Sequence, residues 1–164
     1  MDSMLYCNNR MQFGDLVEMI ILCIKEANCE LKINYYNQDY EIVYSGTQLL
    51  NNYLYDDSIY RIGIFCDYLS IITEAPKHRS EDYFELYCKE HNVEINMELE
   101  LDIYVATISK GIKLLKEIVT KIEKSTRGDV VIENDTSVVV YLTSKKEKIS
   151  VDAYWKMELK NEKK

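Results

Sequence analysis

The chain has 164 residues, 47% of them hydrophobic, which suits one core of ordinary size and excludes a disordered chain. Its 28 acidic residues against 20 basic ones give a formal net charge of −8. That sign argues against nucleic acid and anionic membranes as ligands, because both are bound by positive surfaces.

Residues 4–7 read as a short first strand. Residues 13–28 read as a helix, with Leu16, Met19, Ile20, Cys23, Ile24 and Ala27 recurring on one face and Asp15 favourable in the first turn. Residues 31–36 and 40–44 alternate as two strands, joined by an Asn37-Gln38-Asp39 turn. Leu49, Leu50, Tyr53 and Leu54 fit a short helix that ends near Asp56-Asp57. The β-rich run 59–73 is too long for one ordinary strand. A strand bulged near Gly63 and two strands joined near Asp67 are both compatible with it.

Pro76-Lys77-His78-Arg79 is the clearest loop, and Ser80 behind it is placed to cap a helix that runs to about His91. Residues 93–103 are the cleanest strand. Val93, Ile95, Met97, Leu99, Leu101 and Ile103 alternate with Glu94, Asn96, Glu98, Glu100 and Asp102, so one face is apolar and the other acidic. Residues 105–125 form the strongest helix, with a stripe of Ile108, Ile112, Leu115, Ile118, Val119 and Ile122, and Gly128 suits its C-terminal cap. Strands are expected at 129–132, 137–142 and 148–151, with turns at Glu133-Asn134-Asp135 and Ser144-Lys145-Lys146. Residues 153–159 suit a short helix anchored by Trp155, and the end of the chain, within 155–164, is expected to fray. Residues 13–44 and 105–142 both run from helix to hairpin, a recurring supersecondary unit. The expected architecture is one α+β domain over residues 1–164, with a central, mostly antiparallel sheet and two to four helices packed on it.

Few residues point to chemistry. The five glycines are isolated, so no phosphate-cradling loop can be built, and no nucleophile elbow is present. The cysteines, Cys7, Cys23, Cys29, Cys66 and Cys88, are odd in number and irregularly spaced, and none form a Cys-x-x-Cys pair. Reduced thiols are the simplest account of them. Cys88 and His91 fall three apart on one helix, so they can share a side as a nucleophile pair or half a metal site. The alternative is a packed thiol and a histidine that satisfies helix carbonyls. Neither a metal nor another cofactor is implied.

The acidic row Glu94, Glu98, Glu100 and Asp102 is the main candidate for a binding surface. As an open sheet face it lacks the contrasting environments that separate the pKa values of a catalytic carboxylate pair; it is either a solvated structural face or a docking surface for a basic protein. The tyrosines crowded between Tyr35 and Tyr68 are good strand residues, the preferred reading, and an interface is the alternative. No signal-peptide pattern stands at residues 1–4, and the apolar run 19–24 is too short to cross a bilayer, so a cytoplasmic protein is expected.

Gly128-Asp129-Val130-Val131-Ile132-Glu133-Asn134 follows an amphipathic helix and precedes Val138-Val139-Val140-Tyr141-Leu142. This arrangement resembles the C-terminal portion of some bacterial toxin-immunity proteins, over about the last third of the chain. The resemblance implies a non-catalytic inhibitor that neutralises a cognate toxin, often a nuclease, and it carries no catalytic residue with it. The alternatives are an enzyme of unfamiliar type, using Cys88 and His91 or the carboxylates from Glu94 to Asp102, and an oligomeric adaptor that uses a sheet edge or its tyrosines.

Overall fold

A computed structural model describes residues 2–75, 78, 81–125, 129–134 and 139–142. In chain order the elements are β1 (Asp2–Cys7), α1 (Phe13–Glu26), β2 (Lys32–Tyr36), β3 (Ile42–Gly46), α2 (Asn51–Leu54), β4 (Arg61–Phe65), β5 (Leu69–Glu74) and α3 (Glu81–His91). They are followed by β6 (Met97–Ile103), a 3-10 turn at Val105–Thr107, α4 (Ile108–Ser125), β7 (Val130–Asn134) and β8 (Val139–Leu142). The strands form one sheet in the order β3-β2-β4-β5-β6-β1-β7-β8. Every neighbouring pair is antiparallel, and the fold is α+β. Among the described residues no helix is long and apolar enough to cross a membrane.

The alternation of β6 organises this sheet. Met97, Leu99, Leu101 and Ile103 are buried. Directly paired residues share a face, so the register Leu5↔Leu99 puts Leu5 of β1 on the same side. The helices α1 and α4 lie together over that side. Leu16, Val17, Ile20 and Ile24 of α1 and Ile112, Leu115, Ile118 and Ile122 of α4 join the strands in one apolar cluster. Each fully buried aliphatic side chain contributes roughly 1.5–3 kcal/mol, so this layer carries most of the stability.

Among the described residues the opposite face is covered only at one end. There α3 packs Phe84 and Tyr87 on Tyr6 of β1 and Val131 of β7. Its exit sets where β6 begins. Asn92 takes a left-handed backbone (φ 54), and Val93 N–H bonds back to Cys88 O (3.2 Å). Val93 and Ile95 stay buried, but under α3 and outside the ladder. The strand expected from residue 93 therefore starts at Met97: alternation outlasts the ladder because the helix reuses its apolar residues.

Other boundaries move for local reasons. The 59–73 run resolves into β4 and β5, joined through Cys66-Asp67-Tyr68. The β2–β3 turn extends to Glu41, because Asn37 Oδ1 accepts from both Asp39 N (2.9 Å) and Glu41 N (3.0 Å). Glu133 and Asn134, expected in a turn, belong to β7, where Glu133 pairs with Met4. The expected cap residues Ser80 and Gly128, the turn at 144–146, the strand at 148–151 and the elements beyond it lie outside the described residues.

Gly111 marks a close approach of α4 to β6 and to the β4–β5 turn. A Cβ built there would stand 2.6 Å from Ile103 Cγ2 and 3.0 Å from the carbonyl oxygen of Tyr68. Helix propensity alone favours alanine at such a site by about 1 kcal/mol. Gly111→Ala is nevertheless expected to destabilise by about 1–3 kcal/mol, because backbone oxygen cannot yield as a side chain can. Urea denaturation measures this, and an unchanged or raised midpoint would show that α4 needs no such close approach.

Candidate functional site

The open part of the outer face is built from β4, β5, β6 and β1. Glu98, Glu100 and Asp102 project from β6, with Glu100 exposed and the other two partly exposed. Across the ladder Met4 and Ile72 flank Glu100, while Asp2 and Ser70 flank Asp102. One step further on, β5 supplies Glu74, paired with Arg61 of β4. Together these residues surround a depression of about 140 Å³, lined by Met4, Tyr40, Arg61, Ile72, Thr73, Glu74, Glu98 and Glu100.

The electrostatics of this depression are one-sided. Among the described residues that line it, Arg61 is the only cation, set against three carboxylates. It lies over the Tyr40 ring, 3.8 Å from the centroid, and reaches Glu74 Oε1 with Nη2 at 3.9 Å. Its Nη1 is buried without a hydrogen-bond partner among the described residues. Arg61 is thus committed to an aromatic face and one long ion pair, and the β6 carboxylates keep the depression negative. Gly63 leaves space beside it that the rings of Phe65 and Tyr36 occupy, since a Cβ there would lie 2.7 Å from Phe65 Cε2.

Of the expected acidic row, the structure brings Glu98, Glu100 and Asp102 together on β6. Glu94 stands apart from them. It precedes the strand, is exposed, and its N–H is held by Asp129 Oδ2 at 2.9 Å. Glu74 takes its place in the cluster. No local pattern marks Glu74 in the sequence, because only the β4–β5–β6 register carries it beside Glu98. Asn96, counted on the acidic face, instead clamps the loop after β1, accepting from Asn9 N (2.8 Å) and donating to Asn9 O (2.7 Å).

Cys88 and His91 are engaged with different partners. Cys88 Sγ lies 3.3 Å from both the N and the O of Ile95, which ties the end of α3 to the segment leading into β6. The His91 ring packs on Tyr87, with centroids 4.3 Å apart. No group of three or more histidine, cysteine or carboxylate residues is gathered for a metal ion among the described residues.

The tyrosines divide between core and surface. Tyr35 is fully buried and its hydroxyl accepts from Leu50 N (3.0 Å). Burial pushes its phenol above the ordinary range. Tyr44 and Tyr53 stack beside it (4.9 Å, 10°), so this cluster pins α2 against the β2–β3 hairpin. Tyr40 remains exposed at the rim of the depression.

A second carboxylate lies behind α3. Glu133 is only 5% exposed and accepts a 2.5 Å hydrogen bond from the Tyr87 hydroxyl. Tyr87 in turn stacks on Tyr6 at 4.6 Å. This contact ties α3 to β7 and β1. The sequence reading missed it because residues 87 and 133 are far apart in the chain.

Comparison with protein-family models, curated proteins and solved structures gives no match to this chain.

The α3 anchor has a direct test. Tyr87→Phe keeps the ring stack but removes the donor from a buried carboxylate. It should cost about 1.5–3 kcal/mol, as expected for a hydrogen bond to a charged group. Amide exchange in α3 should rise by the corresponding factor while exchange in α4 stays unchanged. Unaltered exchange in α3 would mean that apolar packing alone holds the helix.

Proposed function

We propose that this chain is a non-catalytic binding protein that docks a basic protein on the open, acidic part of its outer sheet face, in the manner of an immunity-type inhibitor of a cognate toxin. The observation that carries the reading is the grouping of Glu74, Glu98 and Glu100 around a depression in which the only cation among the described residues is already stacked on Tyr40. A lysine or arginine side chain from a partner meets carboxylates at its tip. Its methylenes meet Met4 and Ile72, which flank Glu100. Clustered charge of one sign acts chiefly on the rate of encounter.

An adaptor reading has one observation in its favour. The edge strand β3 leaves Ile42, Val43 and Tyr44 exposed and carries no charged residue between Ile42 and Gly46, so little discourages pairing with another strand. A solution mass equal to one chain at high concentration would remove self-association from consideration.

The docking reading is tested with a partner captured from the native host. Glu98→Lys with Glu100→Lys should slow association about 10–100-fold at low salt, and the difference should shrink as salt rises. Glu18→Lys with Glu117→Lys makes the same change in net charge on helices of the other face. Equal slowing by both pairs would sink the assignment to this face.

A further inference from the structure

Two of the five thiols stand on adjoining segments, on the same side of the sheet. Cys29 follows the end of α1, and Cys66 opens the β4–β5 turn. The sheet register brings them together. Lys32 pairs with Phe65 at the end of the β2–β4 ladder, and just beyond it Glu30 N–H donates to Asp67 Oδ2 at 3.4 Å. The segments 29–31 and 66–68 therefore run side by side. Both cysteines pack on the helix-side core, Cys66 buried and Cys29 partly exposed. The Cys66 thiol lies near enough to Cys29 to raise its proton affinity. Each is also fixed by main chain, Cys66 Sγ on Leu69 O (3.4 Å) and Cys29 Sγ on Ala27 O (3.7 Å).

We propose that Cys29 and Cys66 are a redox-active pair that a low-molecular-weight disulfide oxidises to an intrachain disulfide. Cys29 is the more exposed thiol and meets the oxidant. Its thiolate attacks one sulfur of the small disulfide, which forms a mixed disulfide and releases one small thiolate. Cys66 then loses its proton and attacks Cys29 Sγ. The Cys29–Cys66 bond forms and the second small thiolate leaves. The two released thiolates take up the two protons, so the protein gives up two electrons and the small disulfide accepts them.

The surroundings make this pair slow to react in neutral solution. Burial first, then the neighbouring Cys66 thiol and Asp67, push Cys29 up to about 11, with a Tyr68 hydrogen bond opposing them. Thiolate is the attacking species. Below that value its fraction rises about tenfold per pH unit, and the first step should follow it. The bond would lock the exit of α1 to a turn that also holds the entry of α4. Tyr104 N–H donates to Tyr68 O (3.0 Å) and Thr107 Oγ1 donates to Asp67 O (3.4 Å).

The test uses the whole reduced chain with oxidised glutathione between about pH 7 and 9. Remaining thiols are then alkylated, and the disulfides are mapped by mass spectrometry without reduction. The expected first product links the peptides of Cys29 and Cys66, two hydrogens lighter, and forms about tenfold faster per pH unit. Its melting temperature exceeds that of Cys29→Ser treated alike, and Cys66→Ala accumulates glutathione on Cys29 instead. Another pairing that forms first, or a lasting glutathione adduct on wild-type Cys29 with Cys66 still alkylated, would overturn the proposal. The wild-type map decides the matter even if Cys66→Ala does not fold.

Discussion

The strand Met97–Ile103 lies in the interior of the sheet order, between β5 and β1, and yet one of its faces is acidic. A carboxylate removed from water without a partner costs several kcal/mol, so that face disfavours an apolar layer that would bring its acids no partners. The rest of the architecture accommodates this constraint. Both long helices go to the aliphatic side. The third helix is displaced toward β1 and β7, where the same outer face offers Tyr6 and Val131. The open part of the sheet is thus a consequence of β6, and its charge and its exposure share one origin.

The two carboxylate environments on that face show how the constraint is met. Glu133 is buried under α3 and receives the Tyr87 hydroxyl, so burial is matched by a strong donor. Glu98 and Glu100 instead line an open depression, Glu100 exposed and Glu98 partly so. Residues two apart on a strand stand roughly 7 Å from each other, and like charges at that spacing repel mildly when hydrated. A docked cation would relieve the repulsion, so the same charges that slightly oppose folding favour an encounter with a basic surface.

Much of the fold was legible in the sequence because its two strongest periodicities are local. The alternation through Met97–Ile103 and the stripe along Ile108–Ser125 each read correctly without knowledge of their neighbours. What failed were residues whose role is set across the sheet. Val93 and Ile95 continue the alternation but serve α3. Glu133 sits in a turn-like tripeptide but is fixed by Met4 and Tyr87. The site was legible to a similar extent. Glu98, Glu100 and Asp102 followed from one strand, whereas Glu74 and Arg61 entered through strand register. Glu94 left the group because the strand starts after it.

The position of β1 has a consequence for how the molecule is made. This strand is the first element of the chain, yet its two neighbours are β6 and β7. The meander β2–β3 and β4–β5 can zip up as it emerges from the ribosome, because its pairings are close in sequence. The first strand has no such neighbour. At about 5–20 residues per second it waits roughly 5–20 s for β6, an unpaired segment that ends in Leu5-Tyr6-Cys7. The sheet is complete across its middle only when residues 130–134 return to meet residues 3–7, so β1 stays unpaired on its β7 side until more than a hundred further residues have been made.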